Sequence, residues 1–137
     1  MKKLMGFVVV LALLFSVVAL AVATGDPLWK EHGKAAKDAQ ALKAQGKYLE
    51  ASKVHPYAAC RAWYLWNHAC SLIGKRDANG DWQYDVSNKA KNAEALQYLD
   101  QAEEELNTVD GFDAKSCPRA KLQILIDAVK AEINKNL

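Results

Sequence analysis

The segment from Tyr57 to Ile73 is apolar on almost every side of a helix, and this feature constrains the fold more than any other. Such a helix is not suited to a protein surface, because none of its faces favours contact with water. We therefore predict a central, buried helix that ends before Gly74. Its apolar residues after Tyr57 are Ala58, Ala59, Cys60, Ala62, Trp63, Tyr64, Leu65, Trp66, Ala69, Cys70, Leu72 and Ile73.

The rest of the chain beyond residue 23 also favours helices, since it is rich in Ala, Leu, Lys, Glu and Gln. Pro56 kinks or restarts the second helical segment, because proline lacks a backbone donor. No stretch alternates apolar and polar residues for long enough to predict a sheet. We predict an all-α fold with about four antiparallel helices, over residues 27–44, 47–73, 87–107 and 118–136.

The first 23 residues have the pattern of a Sec-type export signal. Lys2 and Lys3 precede an apolar run over residues 7–22, and the run ends in the small-x-small sequence Ala21-Val22-Ala23. Cleavage there leaves a single helical domain over residues 24–137, periplasmic or secreted and not bound to a membrane. The alternative is a retained N-terminal membrane anchor, because about 20 apolar residues suffice to cross a bilayer.

Removal of this signal changes the charge balance. The whole chain has 18 basic and 16 acidic residues, and the signal contains two of the basic ones, Lys2 and Lys3. The remaining chain therefore has a formal net charge of zero. Binding to nucleic acid needs a clustered excess of positive charge, so we expect no nucleic-acid partner.

The three cysteines predict one disulfide, because disulfides are usual in exported proteins. Cys60 and Cys70 are ten residues apart on one predicted helix, which separates them by about 15 Å and prevents a bond between them. The helix over 87–107 returns the chain toward Cys60 before Cys117 is reached. We predict a Cys60–Cys117 disulfide and a buried free thiol at Cys70, the alternative being three reduced, buried cysteines.

Three stretches carry small and aromatic residues at the spacing of packed helix pairs. They are Ala39, Leu42, Gly46, Tyr48 and Ala51; Ala62, Trp63, Tyr64, Asn67 and Ala69; and Ala95, Leu99 and Ala102. These stretches resemble tetratricopeptide repeats: the first matches the turn between the two helices of a repeat, and the other two match the first and second helices of a further repeat. The resemblance covers about residues 35–107 and implies stacked helical hairpins that bind a protein or peptide; a small helical bundle is the alternative.

The loop over residues 77–85 carries oxygen donors at Asp77, Asn79, Asp81 and Asp85. This spacing resembles a calcium-binding loop, and calcium is therefore a candidate ligand. The pattern departs from an EF-hand, which has Gly at the sixth and Glu at the twelfth position, where this chain has Trp82 and Asn88. The alternative is a polar turn, since Asp, Asn and Gly are common turn residues.

Aromatic residues form two groups. Trp63, Tyr64 and Trp66 lie on the central helix, where core packing is favoured over a ligand groove. Trp82 and Tyr84 lie in the polar loop, where aromatic side chains suit contact with a partner. We expect partner contacts from these two, from Arg76 and from Trp66, along a groove between the first two helical segments and the loop over 75–86.

The sequence contains no recognisable catalytic constellation. His32, His55 and His68 are widely spaced and match no haem or metal motif. We therefore expect a protein that is not an enzyme and needs no cofactor other than the calcium considered above. The prediction is an exported helical module that binds a protein or peptide, with a calcium or small-ligand binding protein as the alternative and an enzyme as a less favoured third hypothesis.

Overall fold

The computed structural model describes residues 27–108 and 117–135, with side chains from Gly33 onward. These ranges are mostly helical, which confirms the predicted all-α class in a broad sense. The predicted signal over residues 1–23 and the predicted domain start at Thr24 lie outside the described residues. The elements are α1 (Pro27–Ala44), α2 (Tyr48–Val54), α3 (Ala58–Ile73), β1 (Gly74–Arg76), β2 (Trp82–Tyr84), α4 (Lys89–Leu106) and α5 (Arg119–Asn134).

The chain divides into two compact units, Met1–Lys37 and Asp38–Leu137, with the boundary inside α1. Of the first unit, the structure describes residues 27–37, which are helical. The packing, cavities and sites described below belong to the second unit. Within residues 27–108 and 117–135, no helix has both the length and the apolar character needed to cross a bilayer.

Helix α1 ends where the sequence predicts, just before Gly46. The Gly46 N–H donates to the carbonyl of Lys43 at 2.8 Å, and the Lys47 N–H donates to the carbonyl of Leu42 at 2.9 Å. This pair of bonds is a Schellman motif, which needs a residue in the left-handed region. Gly46 provides it with φ of 78°, because glycine lacks the Cβ that makes this conformation costly.

Helix α3 is central, as its sequence predicts. It packs against α2, α4, α5 and both strands, and its most extensive contact is with α4. Arg61 near its start pairs with Glu105 near the end of α4 at 3.0 Å, and His68 lies edge-on to Tyr98 with ring centroids 4.5 Å apart. The first contact joins the start of α3 to the end of α4, and the second joins a later residue of α3 to an earlier residue of α4, so the two helices are antiparallel. The buried residues of α3 are Ala58, Ala59, Cys60, Ala62, Tyr64, Leu65, Trp66, Asn67, Ala69, Cys70 and Ile73.

Helices α4 and α5 close the core on the other side of α3. Leu99 of α4 and Leu122 and Ile126 of α5 are fully buried in the same cluster as the α3 residues. Lys130 of α5 donates to Asp100 at 2.7 Å and to Glu103 at 2.6 Å across the α4–α5 contact. Leu99, Leu122 and Ile126 therefore face the core.

The predicted disulfide is confirmed: Cys60 and Cys117 are bonded, with a Cα–Cα distance of 5.2 Å. Cys60 lies in the first turn of α3, and Cys117 lies two residues before α5. The return of the chain along α4 brings these two positions together. Cys70 is a free, fully buried thiol, as predicted, and burial raises its pKa to about 12.

Pro56 breaks the second segment and restarts it, so α2 ends at Val54 and α3 begins at Ala58. His55 lies in this break with 6% of its surface exposed, and its Nδ1 accepts the Tyr57 N–H at 3.1 Å. Burial, together with the positive charge of Arg61, lowers the pKa of His55 from 6.5 to about 4. The imidazole is therefore neutral in the folded protein at neutral pH.

A short β-hairpin was not predicted. Strands β1 and β2 are antiparallel, with Gly74 opposite Tyr84 and Arg76 opposite Trp82. Each strand has three residues, which is too short for the alternation that identifies strands in a sequence. Gly74 belongs to β1 as well as ending α3, and a Cβ at this position would collide with the carbonyl oxygen of Gln83. The close approach of β2 to β1 therefore requires a glycine here.

We predict that a Cys60→Ser/Cys117→Ser variant loses about 4 kcal/mol of unfolding free energy. The disulfide joins residues separated by 57 positions, and its removal restores the chain entropy of that loop to the unfolded state. Urea denaturation monitored by circular dichroism measures the loss. Cys70→Ala is the control, because it removes a buried sulfur and keeps the disulfide. A loss no greater than in the control contradicts the prediction.

We also predict that His55 makes the protein less stable in acid. The unfolded state takes up a proton as the pH falls below 6.5, whereas the folded state stays neutral until about pH 4, so acidification favours unfolding across this window. The expected loss between pH 6.5 and pH 4 is about 3 kcal/mol. In His55→Asn, the amide oxygen replaces Nδ1 as acceptor but does not titrate. Urea titrations at several pH values should therefore show an acid-induced loss of stability about 3 kcal/mol smaller in this variant than in the original protein. Equal acid sensitivity of both proteins contradicts the prediction.

Candidate functional site

Arg76 holds the hairpin against the helices. Its Nη2 donates to Asn67 Oδ1 at 2.5 Å, its Nη1 to the Gly80 carbonyl at 2.6 Å, and its Nε to Tyr48 Oη at 3.4 Å. Its guanidinium carbon lies 4.3 Å from the ring centroid of Trp82, a cation–π distance. Arg76 therefore connects β1, the hairpin turn, α2 and α3.

Trp82 and Tyr84 point toward the same side of β2, since side chains alternate along a strand. Trp82 is half-buried, and its Nε1–H donates to Asn67 Oδ1 at 3.2 Å. The Tyr84 hydroxyl lies 3.7 Å from the Cys70 sulfur, although 37% of the Tyr84 surface is exposed. The two predicted contact residues of the loop thus attach the hairpin to α3, and burial of Trp82 limits the area that it offers to a partner.

Trp66 is a predicted partner contact, but the structure places it in the core. It is buried in the main core cluster with 8% of its surface exposed, because its position on α3 faces the other helices. Its ring meets that of Trp63 edge to face, with centroids 5.8 Å apart. Tyr64 is also buried, whereas Trp63 is half-buried. Core packing is therefore the main role of this aromatic group, and Trp63 is its most accessible member.

The acidic loop forms a polar turn. Asp77 Oδ1 accepts the backbone N–H groups of Asn79 at 2.8 Å and Asp81 at 3.0 Å, and Oδ2 accepts Gln83 Nε2 at 2.8 Å. The pKa of Asp77 is lowered, mainly because the carboxylate accepts the hydrogen bond from the Asp81 backbone.

Asp85 takes part in a separate local interaction, because its Oδ1 accepts the N–H and the hydroxyl of Ser87 at 3.0 and 2.6 Å. Within the described ranges, no group of three or more His, Cys, Asp or Glu side chains is arranged to hold a metal ion. The calcium site at Asp77, Asn79, Asp81 and Asp85 stays a prediction to which this geometry adds no support.

A groove of about 430 Å³ lies between the C-terminal half of α1 and α3. One wall is formed by α1, the other by Trp63 and its neighbours on α3, and Cys117 of the disulfide is part of the lining. The groove lies between the first two helical segments, but its lining includes no residue of the loop over 75–86 and none of the predicted contacts Trp66, Arg76, Trp82 or Tyr84. The described residues that line it are Gln40, Lys43, Ala44, Trp63, Tyr64, Asn67 and Cys117.

A second cavity of about 560 Å³ lies beside the hairpin and the start of α4. Tyr84 contributes its aromatic wall, and Lys75, Gln83 and Lys91 contribute long, exposed side chains. Rigid aromatic side chains lose less conformational entropy on binding than flexible ones. The α1–α3 groove has two aromatic residues, Trp63 and Tyr64, next to a disulfide, whereas the second cavity has one, so the groove is the better candidate for a binding site.

Sequence reasoning did not assign Gln40, Lys43, Ala44 or Asn67 to a site. Asn67 carried a usable signal, because it is a polar residue in a segment that is apolar on almost every side. A buried amide needs hydrogen-bond partners, and two of the three partners of Asn67, Arg76 and Trp82, lie outside its own helix. The three α1 residues carried no such signal, since exposed polar and small residues are common on any surface helix.

Comparisons with protein-family models, with curated proteins and with solved structures found no match for this chain. The tetratricopeptide resemblance therefore stays a prediction. The function has to be inferred from the geometry of the chain itself.

We predict that Arg76→Met lowers the free energy of unfolding by about 2 kcal/mol, since each lost hydrogen bond contributes about 1 kcal/mol and Asn67 loses one of its donors. Urea denaturation followed by tryptophan fluorescence measures the change. Lys75→Met is the matched control, because Lys75 is exposed on the same strand and should change stability by no more than about 0.5 kcal/mol. Equal losses in both variants contradict the connecting role of Arg76.

Proposed function

We propose that this protein is an exported helical module that binds a partner protein by holding a short peptide segment in the α1–α3 groove. The size of the groove supports this proposal, because ligand sites commonly enclose about 300–1,000 Å³. Its lining also supports it, because Trp63, Tyr64 and Ala44 supply apolar surface and a few polar groups stand beside them.

The half-buried face of Trp63 is the observation that carries the proposal. Trp63 is fixed by its edge-to-face contact with Trp66 at 5.8 Å and by its packing against the cluster that contains Cys60 and Cys117. Aromatic residues held in this way are typical anchors of binding sites, because they offer a large contact area and lose little entropy.

The polar rim favours a peptide over a purely apolar ligand. Gln40 and Lys43 are exposed on α1 and face the groove. The Gln40 amide both donates and accepts hydrogen bonds, and it therefore matches a peptide group, which does the same. Lys43 adds donors at the same rim, and no acidic side chain is among the described residues that line the groove.

The disulfide supports the proposal of export. Disulfides persist in oxidising compartments such as the periplasm or the extracellular space, and are rare in the cytosol. A Cys60–Cys117 bond is therefore consistent with the export signal predicted for residues 1–23. Periplasmic and secreted locations are equally compatible with this chemistry.

We predict that Ala44→Leu blocks the groove. Ala44 lines it, and a leucine there would occupy space that a ligand needs. Peptides are selected from a random library displayed on phage, with the purified protein as bait, and the affinity of the enriched peptides is measured by isothermal titration calorimetry. Ala44→Leu should weaken binding by at least about tenfold, the loss of roughly 1.4 kcal/mol.

Ala41→Leu is the matched control for this experiment. Ala41 lies on the same helix and is exposed, but it is not among the residues that line the groove. This variant should bind the selected peptides as the original protein does. The proposed function is wrong if no peptide is enriched, or if both leucine variants bind equally well.

A further inference from the structure

Asn67 belongs both to the groove and to the attachment of the hairpin. Its side chain is among the groove lining, yet only 5% of its surface is exposed. Its Oδ1 accepts hydrogen bonds from Arg76 at 2.5 Å and from Trp82 at 3.2 Å. Its Nδ2 donates to the carbonyl of Trp63 at 3.0 Å.

These three hydrogen bonds fix the orientation of the Asn67 amide. An amide oxygen has two lone pairs, and Arg76 and Trp82 occupy both. Without these donors, a buried oxygen would be left unsatisfied, which is costly, and rotation of the amide would become favourable. The surface that Asn67 presents to the groove therefore depends on whether the hairpin is attached to α3.

The hairpin has the properties of an element with two states. An isolated two-stranded hairpin is marginally stable in water, and each of these strands has three residues. The side chains of Arg76, Trp82 and Tyr84 attach it to the helices. Local opening of such an element costs less free energy than unfolding of the whole domain.

We propose that the hairpin over residues 74–84 controls the α1–α3 groove through Asn67. With the hairpin attached, the Asn67 amide is held in the orientation that a bound peptide meets. Peptide binding and hairpin attachment therefore stabilise each other. This inference rests on the proposed peptide-binding function and adds its regulation.

Cys70 provides a direct measurement of hairpin attachment. It is the one thiol outside the disulfide in a chain with three cysteines, and it is fully buried. The Tyr84 hydroxyl lies 3.7 Å from its sulfur, so detachment of β2 uncovers it. The rate at which iodoacetamide alkylates Cys70, followed by mass spectrometry of the oxidised protein, reports the detached fraction.

The first measurement tests whether the hairpin opens separately from the domain. Arg76→Met should accelerate alkylation of Cys70 by at least about fivefold. Lys130→Met is the matched control, because it removes two ion pairs between α4 and α5 and leaves the hairpin unchanged. If the acceleration in both variants follows their measured losses of unfolding free energy, Cys70 reacts through unfolding of the whole domain, and this result overturns the inference.

The second measurement tests the coupling. It uses a peptide that was selected from the library and that binds Ala44→Leu more weakly than the original protein. Because coupling between two sites is reciprocal, saturating peptide should slow Cys70 alkylation, and Arg76→Met should weaken peptide binding. Both effects should be about fivefold or more. Asn67→Ala should remove the coupling, so that Arg76→Met no longer changes peptide affinity in that background.

The outcomes separate this inference from the proposed function. If Ala44→Leu blocks binding while the peptide leaves the alkylation rate unchanged, the groove binds peptides and the control by the hairpin is wrong. If Arg76→Met still weakens binding in the Asn67→Ala background, the coupling does not pass through Asn67. If no peptide binds in the groove, the proposed function and this inference fail together.

Discussion

The burial of α3 on almost every side is the constraint on which the rest of the structure depends. A helix with this composition has to be covered by other elements, and α2, α4, α5 and the hairpin all pack against it. No single neighbour could supply enough apolar surface. Each of these elements covers part of the surface of α3. The short hairpin is part of the same solution, since it covers Cys70 near the end of α3.

Polar side chains on so apolar a helix fix the positions of its neighbours. Arg61 pairs with Glu105 of α4, and Asn67 accepts hydrogen bonds from the hairpin residues Arg76 and Trp82. Apolar contacts tolerate small shifts, whereas a buried polar group requires defined partners and defined distances. The apolar residues of α3 therefore supply most of the driving force, and its few polar residues determine how α4 and the hairpin are placed.

Much of this fold could be predicted from the sequence, because its signals are local or topological. Pro56 and Gly46 identify breaks by their backbone chemistry, and the pairing of Cys60 with Cys117 follows from the length of the helix between them. The hairpin could not be predicted, because three-residue strands give no periodicity. The burial of Trp66 could not be predicted for a related reason: a helix that is apolar all round does not reveal which of its aromatic residues remain accessible. Trp63 and Trp66 differ in exposure because of neighbours that are distant in sequence.

The location of the candidate groove reflects the same dependence on distant contacts. Its walls come from α1, from α3 and from Cys117, and the last of these follows α4 in the chain. A site assembled from separate segments is useful for binding only if its walls keep their positions, since reordering them would consume binding free energy. The Cys60–Cys117 bond connects the start of α3 to Cys117, which lines the groove, and holds this part of the lining in place. The cross-link that stabilises a small domain thus also preorganises the surface on which Trp63 is presented.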